Sequence, residues 1–351
     1  MKAAVVEGFN QPLVVHKDWP DPKCGPNDAI IQVKANGICR SDWHMWMGDW
    51  GWIGLQLQLP HVIGHEFCGV VEEVGSEVTK FKKGDHVICP FNLGCGSCEY
   101  CLSGHQNTCS DLKIAGLNVT GGYGQFAHIP KADFNLVPLP ESISFVEAAS
   151  MGCRFMTAYH GVVDQAQVKA GEWVAVYGCG GVGLATVQIA SALGANVIAI
   201  SNNEKKLSAA RELGATHVVN ASQEDAPTAV QDITKGGAHV SIEALGSAGT
   251  CRNAILSLRN QGRLLQVGLT SEQEKGEVSL PIDLIVAKEL MIIGTLGMQP
   301  HRYSEMLRMV ESGKLTPGKL VNQTVPIEQA SDVLSSMSHY GTLGVTVIDQ
   351  W

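Results

Sequence analysis

Nothing in the sequence reads as a membrane span, an export signal or a nucleic-acid surface. No window reaches the roughly 18 uninterrupted apolar residues that a transmembrane helix needs. Residues 1–15 interrupt their apolar stretches with Lys2, Glu7, Asn10 and Gln11, where a signal peptide keeps a continuous apolar core. Basic residues are outnumbered, 25 Lys and Arg against 34 Asp and Glu, and the net charge is −9. Without a basic tract there is no electrostatic footprint for DNA or RNA. Internal repeats and low-complexity segments are also missing. Charged residues make up only 17% against 45% apolar, a balance of packed globular chains rather than disordered ones. The expected location is therefore the cytoplasm. There the eleven cysteines are more often metal ligands than disulfides. Cys24, Cys68, Cys89 and Cys251 belong to no pattern and read as buried free thiols.

A chain of 351 residues is long for one hydrophobic core and comfortable for two. Up to about residue 150 the texture is β-rich, with short apolar runs at 29–35, 68–74 and 86–89 separated by turn signals. From about 171 to 269, apolar strands at 173–177, 197–201, 217–219, 240–243 and 263–267 alternate with helical stretches, the pattern of βαβ units on a parallel sheet. Beyond about 289 come a strand, two helical patterns at 301–312 and 327–338, and a final strand at 344–348. The fold class is α/β. The expected division is a β-rich domain, 1–150, completed by 290–351, and a doubly wound nucleotide-binding domain, 151–289.

The strand ending at Tyr177 runs into Gly178, Cys179, Gly180, Gly181, Val182 and Gly183, then an apolar helix. This is G-x-G-x-x-G in the required setting of strand, tight turn and helix. Gly178 permits the turn, Gly180 admits the pyrophosphate, and Gly183 lets the helix pack close to the strand. The helix N-terminus faces the phosphates. About twenty residues on, where a carboxylate would grip the adenosine ribose of NAD, the strand ends in Ser201, Asn202 and Asn203. No carboxylate there repels a 2′-phosphate, and no Arg attracts one. The cofactor is NAD or NADP, with a lean toward acceptance of NADP.

Cys95, Cys98, Cys101 and Cys109 form C-x2-C-x2-C-x7-C. Four thiolates so close in sequence can close tetrahedrally on one zinc without help from the rest of the fold, which makes the site structural. An iron–sulfur cluster is the rival occupant. Cys39, His65, Glu66 and Cys153 are dispersed, and neither composition nor spacing assembles them into a site.

Their surroundings do carry a resemblance. Cys39-Arg40-Ser41-Asp42-Trp43-His44, Gly64-His65-Glu66-Phe67-Cys68-Gly69, the four-cysteine loop, Cys153 four residues before Thr157, and the glycine loop occur in that order. Together they resemble the zinc-containing medium-chain dehydrogenases, and among them the alcohol dehydrogenases, over essentially the whole chain. The resemblance implies a GroES-like β-rich catalytic domain plus a Rossmann domain, with the active site in the cleft between them. It implies a catalytic zinc on Cys39, His65 and Cys153, with Glu66 a reserve carboxylate and Asp42 supporting His65. Three protein ligands leave a position for substrate or water. Reversible hydride transfer then links a primary or secondary alcohol to an aldehyde or ketone. Sister enzymes acting on a polyol, an amino-alcohol or formaldehyde share every one of these motifs.

By the same resemblance Ser41 lies next to the substrate oxygen and His44 passes the proton to solvent. Arg40 meets the pyrophosphate and Lys206 the adenosine ribose. Thr157, Gly181, Val182, Ser201, Asn202 and Val267 complete the cofactor surface, with Leu269 and Leu296 bordering the nicotinamide. The family's second phosphate-binding Arg near the C-terminus is absent: the chain around Gly344, Val345 and Thr346 is small or apolar. Trp43, Trp46, Trp50 and Trp52 crowd what reads as a loop after Cys39. Trp52 and Phe91 are the candidate walls of an apolar substrate pocket, against the alternative that the tryptophans simply pack a long loop. The length is similar to that of the homotetrameric microbial members. A small-molecule substrate is the only partner implied besides further copies of the chain.

Overall fold

The computed structural model describes residues 1–270, 274–339 and 342–351. The chain folds as two units: Met1–Met156 with Gly297–Trp351, and Thr157–Leu296. These limits fall six or seven residues later than the expected 150/151 and 289/290, for two reasons. Residues 151–156 are tied into the first unit by Arg154, which bonds to Glu66 and Ile38. The strand Met291–Gly294 pairs with Leu258–Gln266 of the second unit, Arg263 opposite Met291.

The first unit is built on a seven-stranded sheet. Along it lie Val321–Pro326, Val345–Gln350, Ala29–Ile38, Glu66–Val74, His86–Ile88 and Val137–Pro138, with Phe126–Ile129 also pairing with Ala29–Ile38. The C-terminal strand lies antiparallel to Ala29–Ile38, Thr346 opposite Ile38, so the end of the chain is part of this sheet. Ala29–Ile38 is buried along nearly all its length because it has a partner on both edges and Phe67, Val71 and Ile129 in the core beside it. It continues three residues past the expected 29–35, and its partner starts at Glu66 rather than at 68. The pair runs to Gly37 opposite Glu66. That register sets the end of one strand beside the start of the other, and thereby Cys39 near His65.

The tryptophan-rich segment after Cys39 is not a loop. Residues Arg40–Met47 form a helix that ends on Gly48 in the left-handed region, φ 73°, a conformation glycine adopts without a steric penalty. The Asp42 carboxylate accepts the Cys39 backbone N–H at 2.9 Å, satisfying one of the donors that a helix start leaves over. A 3-10 turn, Gly51–Ile53, follows.

The second unit is a six-stranded sheet, all neighbours parallel: His217–Asn220, Asn196–Ser201, Trp173–Tyr177, Ala238–Glu243, Leu258–Gln266 and Met291–Gly294. Helices Gly181–Ala192, Glu204–Glu212, Ala226–Thr234 and Ala248–Leu256 connect the strands. Three of them begin on side-chain caps: Asn203, Asp225 and Ser247 each accept from a first-turn N–H. The first strand lies in the middle of the sheet, so the chain winds outward one way and then the other. That reversal, at the C-terminal ends of Trp173–Tyr177 and Ala238–Glu243, is where such sheets bind ligands.

Candidate metal and cofactor sites

Three pieces of the first unit converge. Cys39 leaves the end of Ala29–Ile38, His65 precedes Glu66–Val74, and Cys153 sits in a wide turn, Met151–Phe155. Gly152 departs from helical geometry (φ −56°, ψ −118°). A Cβ there would stand 2.5 Å from the Glu66 Cβ, so only glycine lets the turn lie so close. The ligand atoms of Cys39, His65, Glu66 and Cys153 all lie within 4.8 Å of one another.

The donor set fits zinc. His65 Nδ1 is 2.6 Å from Asp42 Oδ1, which places the ring proton on Nδ1 and presents Nε2 as the ligand atom. Nε2 is buried and has no hydrogen-bond partner, the state of a ligand awaiting an ion. Burial works against a charged His65 ring, but Asp42 and then Cys39 outweigh it and hold its pKa well above the ordinary value. The two sulfurs share a hydrogen bond that draws the Cys39 thiol well down and pushes Cys153 well up. One proton between two thiols is what a divalent cation displaces.

Glu66 stands at the same place but is engaged. Its Oε1 accepts the Arg154 backbone N–H and Nε–H at 3.1 and 2.9 Å, and its Oε2 accepts from Arg154 Nη2. Burial pushes the Glu66 carboxyl up to about 7, against the Arg154 guanidinium. Asp42, fully buried, also accepts Cys39 N–H and the Tyr123 hydroxyl, at 2.9 and 3.3 Å.

The second cluster is closed on itself. Cys95, Cys98, Cys101 and Cys109 bring their sulfurs within 4.8 Å of one another. Backbone N–H groups point at them: Cys95 N to Cys109 Sγ, Cys98 N to Cys95 Sγ and Asp111 N to Cys109 Sγ, each at 3.3 Å. The N–H groups of Cys101 and Ser110 draw the Cys98 thiol down to about 5, and that of Ser97 draws Cys95 down to about 7. Burial pushes the other two thiols up, Cys101 to about 12. The four sulfurs thus share protons that a metal would displace, and their closed arrangement suits a tetrahedral four-sulfur site with no open position.

In the second unit each loop glycine has a separate reason. Gly178 has φ 95°, in the left-handed region. At Gly183 a Cβ would stand 1.7 Å from the Gly178 carbonyl oxygen, whereas at Gly180 it would meet nothing within 4 Å. Gly183 is therefore needed for packing, and Gly180 keeps space open at the start of the helix, where backbone N–H groups attract phosphate. Gly181 and Val182 form that helix's first turn.

The structure distributes the remaining candidates unevenly. Ser41 Oγ is 3.9 Å from Cys39 Sγ. His44 Nδ1 bonds Asp49 Oδ2 at 2.5 Å, and its ring stacks on Trp50, centroids 4.4 Å apart and planes at 12°. Phe91, 6% exposed, meets the His65 ring edge-on at 5.8 Å. Trp52 is 37% exposed in the 3-10 turn and, among the described residues, makes no ring contact. Arg40 lies 3.6 Å over Trp43 and donates to the Met337 carbonyl.

Thr157 is buried with no partner for its hydroxyl. Ser201 Oγ accepts from Asn203 N, Asn202 is exposed, and Lys206 lies in the first turn capped by Asn203. Val267 N donates to the Glu243 carbonyl, and Leu269 and Leu296 are exposed, 51% and 40%. All eleven cysteines are free thiols, and Cys24 is only half-buried, since it lies in an irregular segment before the strand Ala29–Ile38.

Sequence reasoning missed Arg154, Tyr123, Asp49 and Glu243. Glu243 is fully buried and accepts from Leu245 N, Gly246 N, Thr250 Oγ1 and Gln266 Nε2, ordering the loops at the carboxyl end of its strand. Its only signal was a carboxylate closing a short strand whose other members, Val240 and Ile242 among them, read as buried.

Residues 25–141 match the alcohol dehydrogenase GroES-like domain, and residues 181–312 match the zinc-binding dehydrogenase domain. The chain is 38% identical to an alcohol dehydrogenase of Geobacillus stearothermophilus over 96% of both chains. It is 32% identical to an NAD-dependent alcohol dehydrogenase of Sulfurisphaera tokodaii over 99% of both. The solved structure of an alcohol dehydrogenase from Thermus sp. ATN1 shares its fold with a TM-score of 0.90, at 30% identity and 100% coverage of each chain.

Proposed function

The chain belongs to the zinc-containing medium-chain dehydrogenase family as a zinc-dependent alcohol dehydrogenase, and from that premise we propose how its own residues divide the work. Its reaction is reversible hydride transfer between a small primary or secondary alcohol and NAD(P), giving an aldehyde or ketone. The observation that carries this reading is the orphaned, buried Nε2 of His65 beside the paired thiols of Cys39 and Cys153.

Cys39, His65 and Cys153 hold the catalytic zinc, and Cys95, Cys98, Cys101 and Cys109 a structural one, two ions per chain. Zinc supplies the Lewis acidity that makes an alcohol hydroxyl acidic near neutral pH, and the nicotinamide supplies the hydride acceptor. Asp42 keeps the His65 proton on Nδ1 throughout. Ser41, on the first turn after Cys39, takes up the alcohol proton at Oγ as it gives up its own hydroxyl proton to the relay. His44 receives it at Nε2, because Nδ1 is held by Asp49. Burial draws the His44 pKa below its ordinary value, so the ring is neutral at pH 7 and ready to accept. Phe91 walls the pocket beside His65 and keeps water off the hydride path; Trp52 borders its outer part. That apolar wall favours short aliphatic or aryl alcohols over polyols.

The Gly178–Gly183 turn takes the pyrophosphate at the start of its helix. Thr157, Ser201, Asn202, Lys206, Val267, Leu269 and Leu296 line the rest of the cofactor. With no carboxylate from Ser201 to Asn203, both NAD and NADP are accepted. The free thiols suit a reducing cytoplasm. Homotetramer formation is supported by the edge strand Met291–Gly294, whose Met291 and Ile292 are 49% and 45% exposed, since exposed apolar edges seek a pairing partner.

A rate matrix of short aliphatic, branched, aryl and polyhydric alcohols against NAD and NADP tests the reading. Oxidation of small monohydric alcohols is expected. No oxidation of any alcohol by zinc-replete protein would overturn it. For the relay, His44→Gln should change the pH–rate profile; an unchanged profile removes His44 from the mechanism.

A further inference from the structure

The hydrogen bonds of Arg154 end beside Cys39, His65 and Cys153, the three residues assigned to the catalytic metal. Its backbone N–H and Nε–H donate to Glu66 Oε1, and its Nη2 donates to Glu66 Oε2 and, at 3.1 Å, to the Ile38 carbonyl. Glu66 follows His65, Ile38 precedes Cys39, and Arg154 itself follows Cys153. One buried guanidinium thus links the three segments that present Cys39, His65 and Cys153. Space for it is provided at Gly37, where a Cβ would stand 2.4 Å from Glu66 Oε2 and 3.3 Å from Arg154 Nη2.

The Glu66 carboxylate is within 4.8 Å of the other ligand atoms, close enough to join an ion held by them. Both of its oxygens are instead taken by the Arg154 fork, the geometry in which Arg binds carboxylate most strongly. Two thiolates balance a divalent ion, so the negative charge of Glu66 is left for Arg154 to balance. An unpaired buried carboxylate would be driven toward the only other cation at hand, the metal.

We infer that Arg154 is a positioning residue that holds Glu66 out of the metal's coordination sphere and keeps the fourth position open to substrate. This rests on the assignment of a metal to Cys39, His65 and Cys153. It accounts for a carboxylate placed within reach of the ion and yet fully engaged elsewhere.

The test replaces zinc with cobalt(II) in the whole protein, with no alcohol or nicotinamide present. The visible d–d bands, the thiolate-to-cobalt charge-transfer band and the cobalt-edge X-ray absorption are then recorded. The variants are Glu66→Gln, Arg154→Met, Arg154→Lys and the double variant Arg154→Met with Glu66→Gln. The four-cysteine site contributes equally to all of them and cancels in difference spectra.

In Arg154→Met the released carboxylate should join the metal, so the d–d bands weaken and one oxygen neighbour is gained. Arg154→Lys, which keeps the charge without the fork, should shift in the same direction to a smaller extent, and it carries the test if Arg154→Met does not fold. Glu66→Gln and the double variant should keep the wild-type bands. Unchanged bands in the Arg154 variants, or altered bands in Glu66→Gln alone, would overturn the inference. Uptake of only about one cobalt per chain by the wild-type protein, with its charge-transfer band lost entirely in Cys98→Ser, would refute the metal assignment instead.

Discussion

Replacing Asp42 with asparagine removes one charge and leaves the shape nearly unchanged, which isolates what the carboxylate does. Asp42 accepts from His65 Nδ1 at 2.6 Å, from Cys39 N at 2.9 Å and from the Tyr123 hydroxyl at 3.3 Å. An amide offers one acceptor oxygen and one NH2. If the NH2 faces His65, the ring must carry its proton on Nε2, the atom that should bind metal. If it faces Cys39, a donor meets the backbone N–H and the helix cap is lost. A hydrogen bond to a charged group contributes ~1.5–3 kcal/mol. At about 1.4 kcal/mol per decade, zinc affinity should fall about 10- to 100-fold, the range typical of residues that orient a metal-binding histidine. Competition against a chromophoric chelator measures the affinity, and melting of zinc-loaded and zinc-free protein measures the cap, worth about 1 kcal/mol. Should the zinc-free protein lose stability while zinc affinity stays at the wild-type value, Asp42 is a helix cap only and the tautomer argument fails.

Three further outcomes follow from the geometry. Gly180→Ala should leave the melting temperature unchanged and weaken cofactor binding about tenfold or more, whereas Gly183→Ala, with its Cβ 1.7 Å from Gly178 O, should cost about 1–3 kcal/mol by overpacking; titration calorimetry and thermal melts separate the two, and equal stability losses would contradict the division of roles. Cys98→Ser should reduce bound metal from about two ions to about one per chain and lower the melting temperature, with elemental analysis as the check. The Glu172 carboxylate, 14% exposed, is bound by Arg263 Nη2 at 2.7 and 2.6 Å; burial pushes its pKa up, but Arg263 outweighs that and holds it below the ordinary value. A depressed carboxylate stabilises the fold above its unfolded pKa of about 4.3 and loses that contribution as pH falls through the folded value. Arg263→Gln should therefore cost ~1.5–3 kcal/mol at pH 7, with the gap to wild type closing below about pH 4; a gap independent of pH in denaturation series would refute the ion-pair account.

The features determined by sequence alone are those whose interactions are short in chain length. The turn from Gly178 to Gly183 follows its strand directly, four cysteines span residues 95 to 109, and the strand Trp173–Tyr177 shows its full bounds in its apolar run. Backbone conformation and nearby spacing are enough to impose these. Cys39, His65 and Cys153 were named by ordered resemblance, never by spacing. Only the register of Gly37 against Glu66 and the kink at Gly152 bring them together. Tertiary structure also decided that Arg40–Met47 is a helix, because its buried side chains include Asp42, and a polar residue on the inward face hides the apolar periodicity. Arg154 was invisible for the same reason. Arginine is almost never fully buried unless paired, and its partner Glu66 lies 88 residues away in sequence. Local chemistry was legible in the chain; partners that meet across the sheet were not, because only folding supplies the proximity that makes burying a charge tolerable.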